Sequence, residues 1–433
     1  DLGKAPESGI NTVKLSLSTH QNAYHYIHTD NGNFYSLYVT DDNGKLIDAI
    51  SRVGEPGLYF GSACSGYIGG SEYIVEAFHK GDLNTHPVTG QISIVVRDAD
   101  SLQAINSFDV PLENEAILEK PKVCISDEKI LVLYSPCETT NLVWNEFGYY
   151  QKASSVLLKA FNMDGNVISS SAIYRDDDLS HSPQSIPVGI YASGSDVFVQ
   201  YWNGSSRQDF SGSNLQSLVW DNDEIITSGP AINGTLSPFA PLSISENFLL
   251  TSSSNKPILV DSNTMQPVGE EISMIGSTII AFQNLQNDQF VIVSANLPQS
   301  YNGPGELFSQ RINSEGIAVE PARLISNNFG VQNRYSSWDY DASISSPESG
   351  GYSIAFVGQD YVAGKGDESI RVVQFSNNIG PTGSVELNGE AKQGETLSLI
   401  ESFDDPNGIV ENSKFYQWFR VNQHGYEEFI DET

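Results

Sequence analysis

The chain has 433 residues and carries 54 acidic against 22 basic side chains, a formal net charge of −32. So acidic a surface repels DNA, RNA and anionic membranes, which disfavours nucleic-acid binding, and no nucleic-acid partner is expected. Hydrophobic residues make up 39% of the chain, with 20 Tyr, 20 Phe and only 3 Met. That composition suits many half-buried strands, and helical periodicity is absent, so very little helix is expected. No apolar run is long enough to span a bilayer as a helix, so membrane insertion is not expected.

In chain order, a short apolar strand runs into a tight Asp/Asn/Gly turn and a second strand, seven times over. The instances begin at Ser36, Ser93, Leu157, Ser217, Ile258, Leu307 and Arg371. Their turns recur at about 40–64 residues, the range of β-propeller blades, in which the repeated turn would join the third and fourth strands. The strand before each repeat is apolar or alternating: EYIVEAF from Glu72, KILVLYS from Lys129, DVFVQYW from Asp196, NFLLTSS from Asn247, QFVIVSA from Gln289 and GYSIAFVG from Gly351. These read as second strands. The expected fold is all-β: a seven-bladed β-propeller over residues 1–380, with blades at 10–55, 56–112, 113–172, 173–230, 231–272, 273–326 and 327–380. Six and eight blades are the alternatives. Gly61-Ser62-Ala63-Cys64-Ser65-Gly66 reads as a turn between strands.

After Gly380 the composition changes. Val385, Leu387, Ala391 and Leu397 are punctuated by Gly389 and Gly394; a turn follows at Asp404–Gly408, and Tyr416-Gln417-Trp418 opens a new strand. Residues 381–433 are expected to be the first strands of an immunoglobulin-like β-sandwich with Trp418 as its core aromatic. Such a module needs about 90–100 residues, so the chain is expected to continue. Because it starts at Asp1 with no visible signal peptide, it is expected to be a processed or excised piece, or to use a secretion route without such a signal.

The long connections at one end carry the candidate site, because loops on a rigid scaffold are where binding residues concentrate. HKGDLNTHPVTGQ from His79, CETTNLVWNEFGYYQKASS from Cys137, NGSSRQDFSGSN from Asn203, LPQSYNGPGE from Leu297 and GQDYVAGKGDES from Gly358 read as loops between second and third strands. Trp144, Tyr149, Tyr150, Trp202, Tyr301, Trp338, Tyr340 and Tyr361 are the candidate ligand-binding residues. Exposed aromatics beside Asp and Asn can stack on sugar faces; the alternative is that each ring folds back to cap the sheets. Asp176, Asp177 and Asp178 form the densest carboxylate run, and Asp339 with Asp341 places two carboxylates at i and i+2. Both are candidate calcium sites, since hard cations take oxygen ligands; the alternative is a solvated loop. Calcium is the one candidate cofactor. The seven histidines show no zinc spacing.

Three cysteines, Cys64, Cys124 and Cys137, exclude a disulfide framework. Cys124 and Cys137 flank one hairpin, and either an optional disulfide or free thiols is compatible with that placement. No nucleophile elbow, P-loop or dinucleotide fingerprint is present. A pair of glycosidase carboxylates is spatial rather than sequential, so sequence does not exclude it. A non-enzymatic protein is the expectation.

The tail Val385–Leu387–Gly389–Ala391–Gly394–Leu397, then Asp404–Asn407–Gly408, then Tyr416–Trp418–Arg420 resembles the tandem immunoglobulin-like modules of large secreted bacterial proteins, typified by RTX-type adhesins of marine bacteria. The segments GGYSIAF…IRVVQF and LFSQRINSEGIAVEPARLIS resemble propeller repeats of the same kind of protein. The resemblance implies an extracellular or cell-surface protein whose propeller is a ligand-facing or structural head. Its partners would be carbohydrate or another host or cell-surface ligand, or neighbouring modules and copies of itself. A polysaccharide-active hydrolase or lyase is the remaining alternative. The calcium-type turn of that family reads DDPNG here, with Pro406 and Asn407 intruding, which sets calcium at that turn in doubt.

Overall fold

The computed structural model describes residues 11–18, 23–29, 34–40, 46–53, 58–81, 90–112, 115–117, 121–138, 142–145, 148–151, 155–175, 184–193, 195–204, 213–221, 224–226, 229–236, 242–254, 256–269, 272–285, 288–296, 305–329, 342–346, 351–362, 365–375, 382–388, 398–404, 418–421 and 427–430. Among the described residues every regular element is a β-strand.

Successive antiparallel sheets follow one another along the chain, each with its strands in sequence order. The first comprises Asn11–Ser18, Ala23–Thr29, Phe34–Thr40 and Leu46–Val53. The second comprises Leu58–Ile68, Ser71–Gly81, Gly90–Asp98 and Ala104–Val110. Lys122–Ser126, Lys129–Tyr134, Ser155–Phe161 and Val167–Arg175 form the third. The fourth holds Gln184–Ser193, Asp196–Gly204, Ser213–Asp221 and Glu224–Ile226, with Ala231–Leu236 also paired to its third strand. The fifth is Ser243–Ile244, Phe248–Ser253, Lys256–Asp261 and Pro267–Val268, and the sixth is Thr278–Leu285, Gln289–Asn296, Gly305–Ile312 and Arg323–Phe329. A seventh group of three strands, Ala342–Ser345, Tyr352–Val362 and Lys365–Phe375, joins the sixth sheet through the single pair Phe329↔Gly358.

Tight turns set the register. Asp127 and Glu128 both take positive φ, 46° and 60°, in the two-residue hairpin between Lys122–Ser126 and Lys129–Tyr134. That is the geometry whose twist matches the flanking strands. Between third and fourth strands, Asp98 accepts from the backbone N–H of Ser101 at 2.8 Å, and Asp261 from that of Thr264 at 2.7 Å. These are Asx-type turns, and they explain why Asp and Asn mark the repeat.

The core lies between sheets, in consecutive layers. Val75, Ala77, Ile92 and Val96 of the second sheet pack on Val123, Ile125, Ile130 and Tyr134 of the third. Leu131, Leu158 and Val156 on the opposite face of the third meet Val197, Val199 and Leu218 of the fourth. Phe198 and Leu215 meet Leu249 and Val260 of the fifth; Leu250 and Leu259 meet Phe290 and Ile292 of the sixth; Val291 and Val293 meet Ile354 and Phe356. Each strand thus feeds one layer with its odd residues and the next with its even ones, as the period of two requires. Asn11–Ser18 neighbours both Leu58–Ile68 and Ala342–Ser345, so the succession returns on itself. An all-β chain of about six four-stranded antiparallel sheets in this order is consistent with a β-propeller.

Several sequence expectations are corrected. The segment Gly61–Gly66 is not a turn but the middle of the strand Leu58–Ile68. Its glycines permit close approach to the third sheet: a Cβ at Gly61 would stand 2.7 Å from the Pro121 carbonyl oxygen, and one at Gly66 2.9 Å from Ile125 Cβ. Ser62 stitches the same contact, donating to Pro121 O at 3.2 Å and accepting from Val123 N at 2.9 Å. Ala231–Leu236 belongs with the fourth sheet rather than the fifth. Of the two alternatives open for Cys124 and Cys137, the structure has the free thiol: Cys124 is buried and unbonded, while the backbone of Cys137 pairs with Ala116 in a separate ribbon, Glu115–Ile117 with Pro136–Glu138.

The chain divides into two compact units, residues 1–376 and 377–433. In the second, Thr382–Asn388 pairs with Ser398–Asp404, and Trp418–Val421 with Glu427–Ile430.

Candidate functional site

The long connections between second and third strands all leave the same end of their sheets, because every sheet runs in sequence order. Polar side chains close the bases of three of them. In the third sheet the Ser135 hydroxyl donates to the Ser155 carbonyl at 2.7 Å, both residues buried, beneath the insertion 136–154. In the fourth, Gln200 Nε2 donates to Ser213 Oγ at 2.9 Å beneath residues 205–212. In the sixth, Asn296 Nδ2 donates to Glu306 Oε2 at 3.0 Å beneath residues 297–304. The first two of these bonds are buried, and a buried polar group retained with a partner fixes geometry at that point; the Asn296–Glu306 bond is exposed. In the second sheet His79 is buried and its ring occupies the place of a Gly90 side chain, with Nε2 1.9 Å from where a Cβ would stand. His79 lies within the strand Ser71–Gly81 and not in the loop where sequence placed it.

Two insertions carry their own hairpins at this end. Leu142–Asn145 pairs with Gly148–Gln151, which sets Trp144 opposite Tyr149 and Val143 opposite Tyr150. Tyr352–Val362 and Lys365–Phe375 run past the strand Ala342–Ser345 and stay paired as far as Val362↔Lys365, with Tyr361 opposite Gly366. Both stretches read as loops in the sequence. GQDYVAGKGDES is poor in strand formers, yet the ladder is held by backbone groups and continues through it.

Trp202 is a further correction. It lies two residues before the end of the strand Asp196–Gly204 and is only 3% exposed. Alternation puts it on the face that Phe198 and Gln200 present to the fifth sheet, so its ring is not offered to a ligand in solvent. Tyr301, Trp338, Tyr340, Asp176, Asp177, Asp178, Asp339 and Asp341 lie outside the described residues. Among the described residues no three His, Cys, Asp or Glu side chains converge as a metal site. The strand that leads into 176–178 is anchored: Tyr174 packs on Tyr201 at 5.5 Å between ring centroids, and burial followed by the Tyr174 neighbour raises the Tyr201 phenol above its ordinary pKa. Burial raises the Cys64 and Cys124 thiols as well, which keeps both protonated and unreactive. Sequence reasoning missed the basal residues Ser135, Gln200, Ser213 and Asn296. Their only signal is a polar residue closing an apolar second strand.

No protein-family profile matches the chain, and no curated protein sequence does. Solved structures resemble it at low identity. Prolyl oligopeptidase B from Galerina marginata superimposes with a TM-score of 0.46 at 10% identity, over 96% of this chain and 54% of that one. Acylaminoacyl peptidase from Pyrococcus horikoshii gives 0.46 at 9% identity, over 94% and 59%. Hsv2 from Kluyveromyces lactis gives 0.41 at 10% identity, over 84% and 98%. The chain spans about half the length of the first of these.

Proposed function

We propose that the chain is the non-enzymatic binding head of an extracellular or cell-surface, adhesin-like protein. In this reading residues 1–380 are a seven-bladed propeller, counted from the six four-stranded sheets and the three-stranded group beyond them. Residues 381–433 are the opening strands of an immunoglobulin-like module. The ligand is carbohydrate or another surface molecule, met by the loops at the end where second strands turn into third strands. The observation that carries the reading is the set of pinned insertions. The buried bonds Ser135–Ser155 and Gln200–Ser213 hold two long connections at their bases, and the first of these connections bears a hairpin with Trp144 opposite Tyr149. Rigidly based loops with aromatic residues suit stacking on sugar faces. Calcium at Asp176–Asp178 or at Asp339 and Asp341 is part of the same proposal. The test is affinity electrophoresis through gels containing soluble polysaccharides, comparing the native chain with Trp144→Ala and Tyr149→Ala. Retardation by one polysaccharide class that both variants weaken supports the reading; equal mobility in every gel contradicts it.

One observation favours a second reading, a structural module that contacts copies of itself. Ile317, Val319 and Leu324 lie along the outer edge of the sixth sheet, 61%, 50% and 56% exposed. Self-association abolished by Leu324→Asp in sedimentation velocity would favour that reading.

A further inference from the structure

The strand Ala231–Leu236, paired to the third strand of the fourth sheet, carries an Asn-Gly dipeptide at a break in its ladder. Its register runs Gln216↔Ala231 and Leu215↔Ile232, then resumes at Ser213↔Leu236. Asn233, Gly234 and Thr235 thus stand opposite the single residue Asn214, a bulge with two residues in excess. Both ends of the bulge are anchored in the layer shared with the fifth sheet: Leu236 is buried there, and Ile232 packs against the same cluster. Asn233, between them, is exposed. Glycine also follows Asn31, Asn43, Asn203, Asn302, Asn388 and Asn407. Of these pairs, Asn203-Gly204 is the one whose two residues are both described. Its setting is the opposite: Asn203 faces Ser185 and Gly204 faces Gln184 in an unbroken stretch of ladder.

The main-chain nitrogen that follows an asparagine can attack the asparagine side-chain carbonyl when the two atoms meet. Glycine, having no Cβ, shields that nitrogen least. Ring closure requires the asparagine backbone to leave the extended ψ that a ladder imposes. A bulge supplies that freedom, because its residues are off the ladder. We propose that Asn233-Gly234 is a site of spontaneous self-modification in the folded chain. The Gly234 nitrogen bonds to Asn233 Cγ, the Cγ–Nδ2 bond breaks, and the amide leaves as ammonia with the proton that the glycine nitrogen gives up. The product is a succinimide. Water then opens the ring: at the side-chain carbonyl it leaves aspartate, and at the main-chain carbonyl it leaves isoaspartate. Water is the one co-reactant consumed. Either product sets a carboxylate on this outer strand. The iso form also lengthens the main chain by one carbon between the anchors Ile232 and Leu236. The inference is independent of what the loops bind.

The test follows the full chain at pH 8, folded and in urea, with peptide mass spectrometry of both sites at intervals and isoaspartate-specific methyl labelling of the products. In the folded chain Asn233 is expected to convert at least about tenfold faster than Asn203, because Asn203 must first open locally from its ladder. In urea the two rates should draw together, since each asparagine then precedes glycine in an unfolded chain. A ratio of Asn233 to Asn203 conversion no greater in the folded chain than in urea overturns the proposal. So does an Asn233 that stays intact in the folded chain while it converts in urea.

Discussion

Replacing Gly61 by alanine probes how the sheets fit together. The new Cβ would stand 2.7 Å from Pro121 O, 2.9 Å from Pro121 Cδ and 3.0 Å from Ala77 O. Two of these obstacles are backbone oxygens, one on the neighbouring sheet and one on the adjacent strand, so no side-chain rotation relieves them. Reaching an ordinary contact of 3.4 Å from 2.7 Å requires about 0.7 Å of separation between the two inner strands. That displacement stretches both Ser62 hydrogen bonds, now 3.2 and 2.9 Å. Overpacking of this kind costs about 1–3 kcal/mol, and weakening two hydrogen bonds adds about 1 kcal/mol. Alanine restricts the unfolded chain and returns about 0.4–1 kcal/mol. The net expectation is a destabilisation of about 1–3 kcal/mol. Urea unfolding followed by tryptophan fluorescence would show a lower midpoint with an unchanged slope. A midpoint equal to or above that of the native chain would refute the idea that the Gly61–Gly66 segment is an inner strand pressed on its neighbour.

Other expectations follow from single contacts. Glu76 and Arg97 form an ion pair at 2.9 Å with both side chains buried, 0% and 3% exposed; Glu76→Ala alone should cost about 3–5 kcal/mol, while Glu76→Leu with Arg97→Met should lie within about 1 kcal/mol of native in a double-mutant cycle. Gly90→Ala should lower Tm by displacing the His79 ring from its buried position, and His79→Ala should restore tolerance of alanine at 90. Cys64 and Cys124 should resist iodoacetamide at pH 8 in the folded chain and react fully in denaturant without reductant, because both are unbonded and burial raises their thiols. Asp98 is held below the ordinary carboxylate pKa by the Ser101 hydroxyl and N–H, and Asp261 by the Thr264 N–H and hydroxyl. Their folded values are lowered, so their contribution is present above about pH 4 and lost as pH falls through those lower values. The Tm gap between native and Asp98→Ala/Asp261→Ala chains should therefore close in acid.

Much of the strand order was legible because two signals coincide in each sheet. The second strands, such as Lys129–Tyr134 and Gln289–Asn296, are buried on both faces and read as apolar runs. The turns after the third strands need Asp or Asn acceptors, and the sequence shows them. Inner first strands were not legible where they pack most closely. Leu58–Ile68 contains GSACSG because backbones approach within reach of a missing Cβ there, and small residues carry no apolar signal. The hairpin arms around Tyr361 were missed for a different reason, since their pairing depends on register and not on side-chain type. Trp202 was misjudged by its position near a strand end, where one step of alternation separates a buried ring from a solvent-facing one. The basal hydrogen bonds join residues 10–20 apart through space, and no local pattern announces them.

The most direct test of the binding-head account is a glycan and polysaccharide array probed with the labelled chain, once in millimolar calcium and once in chelator. The account predicts selective binding to one sugar class, reduced by substitution at Trp144 or Tyr149. A folded chain that leaves every feature of the array blank in both buffers would contradict carbohydrate recognition and shift the weight to protein contacts along the exposed edge of the sixth sheet.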